Sequence, residues 1–126
     1  MINSRKIEDL NTTAQEKCKS FIVECEKSGL TIKIIQTLRD AEYQNSLYKQ
    51  GRFGDKKKIV TNKDGYKNKS NHQSGNAWDA VPVDDKGNIL WNDNEKFKKM
   101  AEIAKKMNIN AGYYWKMVDS PHFEVN

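Results

Sequence analysis

The chain has 126 residues, of which 37% are hydrophobic and 31% charged, and it carries a net charge of +5. Those proportions exclude a disordered tail, and no run approaches the roughly 18 apolar residues that a membrane span needs. The length suits one domain around one core, taken as residues 1–126, and the basic balance favours anionic partners such as nucleic acid, lipid headgroups or a bacterial wall.

Met1 to Leu10 carries Arg5, Lys6, Glu8 and Asp9 with no apolar stretch behind them, so it does not read as a secretory signal. From Ile7 the apolar positions Ile7, Leu10, Ala14, Cys18, Phe21, Ile22 and Cys25 step by threes and fours. The spacing predicts an amphipathic helix that Gly29 ends. Cys18 and Cys25, seven apart on it, would lie roughly 10 Å apart at about 1.5 Å per residue, too far for a disulfide. With no histidine near them they are expected to be buried thiols of a reducing compartment.

Thr31 to Thr37 is short and β-branched, a strand. Asp40 is placed to cap a second helix carrying Tyr43, Leu47 and Tyr48, which stops at Gly51. Arg52 to Lys69 has little periodicity and reads as a loop. Between Lys49 and Lys69 eight basic residues stand against Asp55 and Asp64, a net +6 on one stretch. It is either a solvated surface loop or a flap that holds an anionic substrate.

Ala77 to Val83 is expected to be a strand, Asp84 to Asn88 a turn, and Ile89 to Trp91 a short returning strand. Asn92 or Asn94 caps a third helix with Phe97, Met100, Ala101, Ala104 and Met107 on its core face. Ala111 to Trp115 and His122 to Val125 read as two last strands joined by a turn near Asp119. Helices packed on a small, mostly antiparallel sheet make the class α+β, with about three helices around the sheet.

Both histidines of the chain, His72 and His122, have carboxylates close by in sequence. Two imidazoles and a carboxylate oxygen form a natural three-ligand set for catalytic zinc, with the fourth position left for water. The Ser74-Gly75 turn lets the chain fold back between His72 and Asp79. Pro121 restrains the segment from Asp119 to His122. Asp119, three residues before His122, suits a general base, which makes the chain a small zinc peptidase.

The pattern Ser70-x-His72-x-x-Gly75-x-Ala77-x-Asp79, followed by Asp119-x-Pro121-His122-Phe123, resembles the zinc peptidases that cut bacterial peptidoglycan stem peptides. These are the D-alanyl-D-alanine carboxypeptidases and L-alanyl-D-glutamate endopeptidases of bacteria and their phages. Arg39-Asp40-x-x-x-Gln44-x-x-Leu47-Tyr48-x-x-Gly51-Arg52 is similar to the segment after that family's first strand. The resemblance implies zinc ligands at His72, Asp79 and His122 and a catalytic base at Asp119. It implies that Arg39 stabilises the developing oxyanion or orients substrate, where an arginine's charge favours the negative oxygen over the neutral carbonyl. The alternative for Arg39 is a structural ion pair with Asp40 or Glu42. Ser70 and Gln44 match the pattern as substrate-touching residues.

Peptidoglycan is thus the expected partner and a monomer the expected state. Between the two activities the endopeptidase is favoured because the chain is compact, leaderless and untethered. The same features suggest a phage endolysin that stays in the cytoplasm until it is released to the wall. Two readings from another class compete: a noncatalytic zinc module, or a basic nucleic-acid binder. The first would want a closed, cysteine-rich site. The second would want aromatics interleaved with the basic residues, where the loop offers only Phe53 and Tyr66, so no nucleic acid is expected.

Overall fold

The computed structural model describes all 126 residues. A turn of 3-10 helix, Ile7–Asp9, precedes α1 (Thr12–Lys27), β1 (Ile32–Gln36), α2 (Ala41–Lys49) and β2 (Ala77–Pro82). After these come α3 (Asn94–Lys106), the two-residue β3 (Asn110–Ala111), a second 3-10 turn (Gly112–Tyr114) and β4 (His122–Glu124). The four strands form one antiparallel sheet in the order β1-β2-β4-β3. The class is α+β, as its periodicities predict.

The first helix starts later than the spacing suggests. Leu10 is extended, and the Asn11 side chain accepts from Ala14 N at 2.9 Å, so Asn11 caps a new helix and the Ile7 turn stays separate. At its end Leu30 N reaches Cys25 O and Gly29 N reaches Glu26 O, a Schellman pair that Gly29 permits at φ +81°. Ala14, Cys18, Phe21 and Cys25 form its buried stripe, and both cysteines are free. Burial pushes each thiol up to about 12, so neither is a ready thiolate.

Asp40 caps α2 as expected, accepting from Tyr43 N at 2.8 Å. The cap of α3 is Asp93, which accepts from Lys96 N, and neither Asn92 nor Asn94 does this work. The predicted strand from Ala111 to Trp115 is also corrected: only Ala111 of that span pairs with β4, and the chain then turns. Gly112 O accepts from both Trp115 N and Asp119 N, which folds 112–119 into a knot of turns. The return strand at Ile89 reduces to a single bridge with Val83.

The core lies between the sheet and α1 with α3. Phe21 sits 4.7 Å from Phe123 and 6.2 Å from Trp78, ring centre to ring centre, and all three are fully buried. Because strand side chains alternate, Trp78 and Phe123 facing this core turn their neighbours Asp79 and His122 to the opposite side. That opposite side is a cleft of about 630 Å³, walled by α2 and the segment that follows it. The 50–76 segment contains no helix or strand, yet it is tied down. Arg52 Nη1 donates to Tyr48 O and Thr61 O, its Nη2 donates to Asn62 Oδ1, and its guanidinium lies 4.0 Å over the Tyr48 ring.

Candidate metal centre

Asp79 and His122 are partners across the β2–β4 ladder, so their side chains leave the sheet side by side. His72 arrives from the preceding loop. Asn11 N donates to Gly75 O at 3.1 Å and the Asn11 and Asn76 amides bond to each other, which pins that loop to the start of α1. Gly75 sits at φ +75°, and a Cβ there would come 3.0 Å from Asn11 N, so a side chain would loosen the pin. Arg39 N donates to His72 O and holds the loop from the β1 side.

The result is a triangle of donor atoms. His72 Nε2 lies 3.3 Å from Asp79 Oδ1 and 3.3 Å from His122 Nδ1, and His122 Nδ1 lies 3.5 Å from Asp79 Oδ1. Tetrahedral ligands at 2.0–2.1 Å from zinc stand about 3.3–3.4 Å from one another, so the triangle has the size of one face of such a site.

The tautomers point the same way. His72 Nδ1 is 2.8 Å from Thr37 O, a carbonyl that can only accept, so Nδ1 carries the hydrogen and Nε2 a lone pair. His122 Nε2 is 2.7 Å from Glu124 Oε1, which leaves Nδ1 bare in the neutral ring. Asp79 Oδ1 is buried without any hydrogen-bond donor. Three lone pairs converging in a dry place repel one another unless a cation sits among them. The donor set therefore fits a metal ion, and the Thr37 carbonyl and Glu124 carboxylate supply the outer hydrogen bonds that orient ligating histidines.

Without a metal, a proton takes that part. Burial lowers the affinity of His122 for a proton, but the neighbouring carboxylates of Asp79 and Glu124 outweigh it and leave the ring at about 9. Burial raises the Asp79 carboxyl, but His122 and His72 more than offset this and hold it well below the usual range.

Asp119 stands at the mouth, 3.9 Å from His122 Nδ1 with its side chain 51% exposed. Partial burial and the neighbouring charge of Asp79 push its carboxyl up, against the pull of His122, His72 and Arg39. Arg39 is largely buried, with Nη2 3.5 Å from Asp79 Oδ2. It does not pair with Asp40 or Glu42: Asp40 caps α2, and both carboxylates lie near the terminal amine of Met1. Its Nε is buried with no acceptor in the protein. Ser70 lines the cleft, and its Oγ accepts from His72 N at 3.2 Å.

Gln44 is a correction. Its side chain is fully buried beneath the cleft and does not line it. The amide oxygen accepts from Arg39 Nη1 at 3.0 Å, and Nε2 donates to Lys63 O and Thr61 Oγ1. It acts behind Arg39, out of reach of a ligand. Sequence reasoning missed Glu124 as a partner of His122, although two residues along a strand is the same face. The Thr37 carbonyl carried no signal at all, being backbone.

Two side chains from the sheet and one from a loop, presenting three inward lone pairs beside the Asp119 carboxylate, are the arrangement of a metal-dependent hydrolase. The model of the family VanY, D-alanyl-D-alanine carboxypeptidase, matches residues 7–122, and the chain belongs to that family. A curated relative, the peptidoglycan L-alanyl-D-glutamate endopeptidase CwlK of Bacillus subtilis (strain 168), is 31% identical over 126 positions, covering 93% of this chain and 74% of CwlK. Among solved structures, the L-Ala D-Glu endopeptidase ChiX of Serratia marcescens superposes with a TM-score of 0.72 at 16% identity, over 99% of this chain and 89% of ChiX. A variant of the vancomycin resistance D,D-pentapeptidase VanY in complex with Zn(II) gives 0.71 at 13% identity, over 98% of this chain and 78% of that one.

Proposed function

We propose that the chain is a zinc-dependent peptidoglycan peptidase that cuts the L-alanyl-D-glutamate bond of stem peptides. The carrying observation is the triangle of His72 Nε2, Asp79 Oδ1 and His122 Nδ1 at 3.3–3.5 Å, with Asp119 beside it. The identity to CwlK, a named L-alanyl-D-glutamate endopeptidase, favours that bond. The family description supports D-alanyl-D-alanine carboxypeptidase as the second reading.

Zinc, when bound by His72, Asp79 and His122, supplies a Lewis acid at the reacting carbonyl and makes water acidic enough to ionise near neutral pH. Asp119 Oδ2 accepts the proton of the attacking water and returns it to the departing amine. Its raised pKa suits this two-way traffic, since a base that is too acidic holds no proton to give back. Arg39 places a buried positive charge next to Asp79, where it favours the anionic tetrahedral state over the neutral carbonyl. Gln44 fixes that guanidinium through its amide oxygen. Ser70 positions the loop of His72 and edges the substrate cleft.

The basic surface supports attraction to the anionic wall, and the reading extends to a bacteriolytic, endolysin-like monomer held in the cytoplasm until release. No helix is long and apolar enough to cross a membrane. Digestion of purified peptidoglycan followed by mass spectrometry tests the reading. New amino-terminal D-glutamate with L-alanine left on the glycan is expected. Free D-alanine as the only product would transfer the chain to the second reading. Asp119→Ala should retain zinc and lose activity by about 10²–10⁴-fold.

A further inference from the structure

Two tryptophans have no part in the chemistry above. Trp91 is 55% exposed and Trp115 is 39% exposed, and both line the cleft that holds the metal triangle. Trp115 is anchored: its ring lies 4.8 Å from that of His122, at the end of the Gly112–Tyr114 turn. Trp91 is carried by the segment in which Leu90 N donates to Pro82 O at 2.9 Å. Two residues earlier on β2, Ala80 N donates to Pro121 O, so Trp91's segment follows β2 on the same flank as the approach to β4. Indoles left in water at the rim of a cleft are apolar faces without a partner, and such faces gather where ligands bind.

The two residues at the scissile bond do not provide that partner. They present a methyl on one side of an L-alanyl-D-glutamate bond and a carboxylate on the other. Carboxylates find their match in Lys63 and Lys69, which line the same cleft from the basic loop. What remains is the sugar. The L-alanine of a stem peptide is joined through a lactyl ether to N-acetylmuramic acid. At about 3.3–3.6 Å per extended residue, the pyranose therefore begins within roughly two residue lengths of the scissile carbonyl. A pyranose has an apolar C–H face that suits an indole and a polar rim that stays wet.

Resting on the L-alanyl-D-glutamate reading, we infer that Trp91 and Trp115 form a saccharide subsite for the N-acetylated sugar that bears the stem peptide. The enzyme then recognises glycan-linked stems over free peptides. A carboxypeptidase working at the far D-alanyl end would leave the sugar several residues outside the cleft, so the subsite also bears on which bond is cut.

The test compares the zinc-loaded chain on two substrates, a disaccharide-linked stem tetrapeptide and the same tetrapeptide without sugar. The linked substrate should have a kcat/KM higher by about tenfold, mostly through KM. Trp91→Ala should bring that ratio close to one, and Trp91→Phe should restore part of it. Zinc content and circular dichroism check that each variant is folded. Titration of the GlcNAc-MurNAc disaccharide into Asp119→Ala, read by tryptophan fluorescence, should saturate, and the change should vanish when Trp91→Ala is added. A ratio near one for the unmodified chain, or a ratio untouched by Trp91→Ala with no fluorescence change, overturns the subsite and leaves the peptidase reading standing. Release of D-alanine alone from both substrates overturns that reading and the subsite with it.

Discussion

At the scale of single residues, the centre is governed by where protons sit. With no metal, His122 holds a proton to about pH 9, because the carboxylates of Asp79 and Glu124 outweigh the effect of burial. Its folded value lies above the ordinary 6.5. The stabilisation this pairing gives the metal-free protein is therefore complete below pH 6.5 and lost as pH rises to about 9. Metal affinity runs the other way, since the ion must displace that proton. Calorimetry in buffers of different ionisation heat should show about one proton released per zinc at pH 7, fading above pH 9. Release that grows with pH would point to water ionisation instead and refute this account. Glu124→Gln weakens the acceptor for His122 Nε2, now 2.7 Å away, and should lower zinc affinity about 10–100-fold in a chelator competition. Of these residues His72, Asp79, His122 and Asp119 were picked out by residue type and spacing, and the fold brings all four to one cleft. Arg39 was half legible: its position was marked, but its partner Asp79 is 40 residues away and only the fold reveals it. Gln44 was misread because a pattern match does not tell a residue that touches substrate from one that props up its neighbour.

At the scale of elements, legibility followed periodicity. The stripe on α1 and that on α3 were visible in sequence, because burial repeats every three or four residues. The strand at 77–82 was visible from its apolar content. The run Ala-Gly-Tyr-Tyr-Trp misled, since aromatic residues suit a strand, while here Tyr113 packs against the core, Trp115 lines the cleft and the chain turns between them. Gly112 explains the departure. A Cβ on it would come 2.3 Å from Asp119 O and 3.1 Å from the Cβ of His122, so the turn holding Asp119 closes only over glycine. Gly112→Ala must push the 119–122 segment away. Displacement of a catalytic group by about 1 Å costs about 100-fold in rate, so kcat should fall by that order. A normal kcat would show that Asp119 does not depend on this packing. At the other end of the site, Asn11→Ala removes both a helix cap and an amide bond to the His72 loop. A loss of about 0.5–2 kcal/mol in urea unfolding is expected from the cap alone.

At the scale of the whole molecule, charge is distributed unevenly. Residues 49–69 carry +6 of a total of +5, so the rest of the chain sums to −1. The two acids in the stretch are spoken for: Asp55 accepts from Lys57 N, and Asp64 accepts from the backbone of Tyr66, Lys67 and Asn68. Its seven lysines are all exposed, and Arg52 is the cation spent on holding the loop together. A positive field beside the cleft mouth raises the local concentration of an anionic polymer, and screening removes it over about 10 Å at 0.1 M salt. Turbidity clearance of whole walls should therefore slow as salt rises, while hydrolysis of a short soluble substrate changes little. The triple variant Lys56→Glu, Lys57→Glu and Lys58→Glu lies on the exposed part of the loop and outside the residues that line the cleft. It should flatten the salt dependence on walls and lower the low-salt rate. The arithmetic favours a visible effect, because reversing three charges takes the loop from +6 to 0. Wall clearance that is equally fast at low and high salt, or equally salt-sensitive in the triple variant, would mean that the loop's charge plays no part in finding the wall.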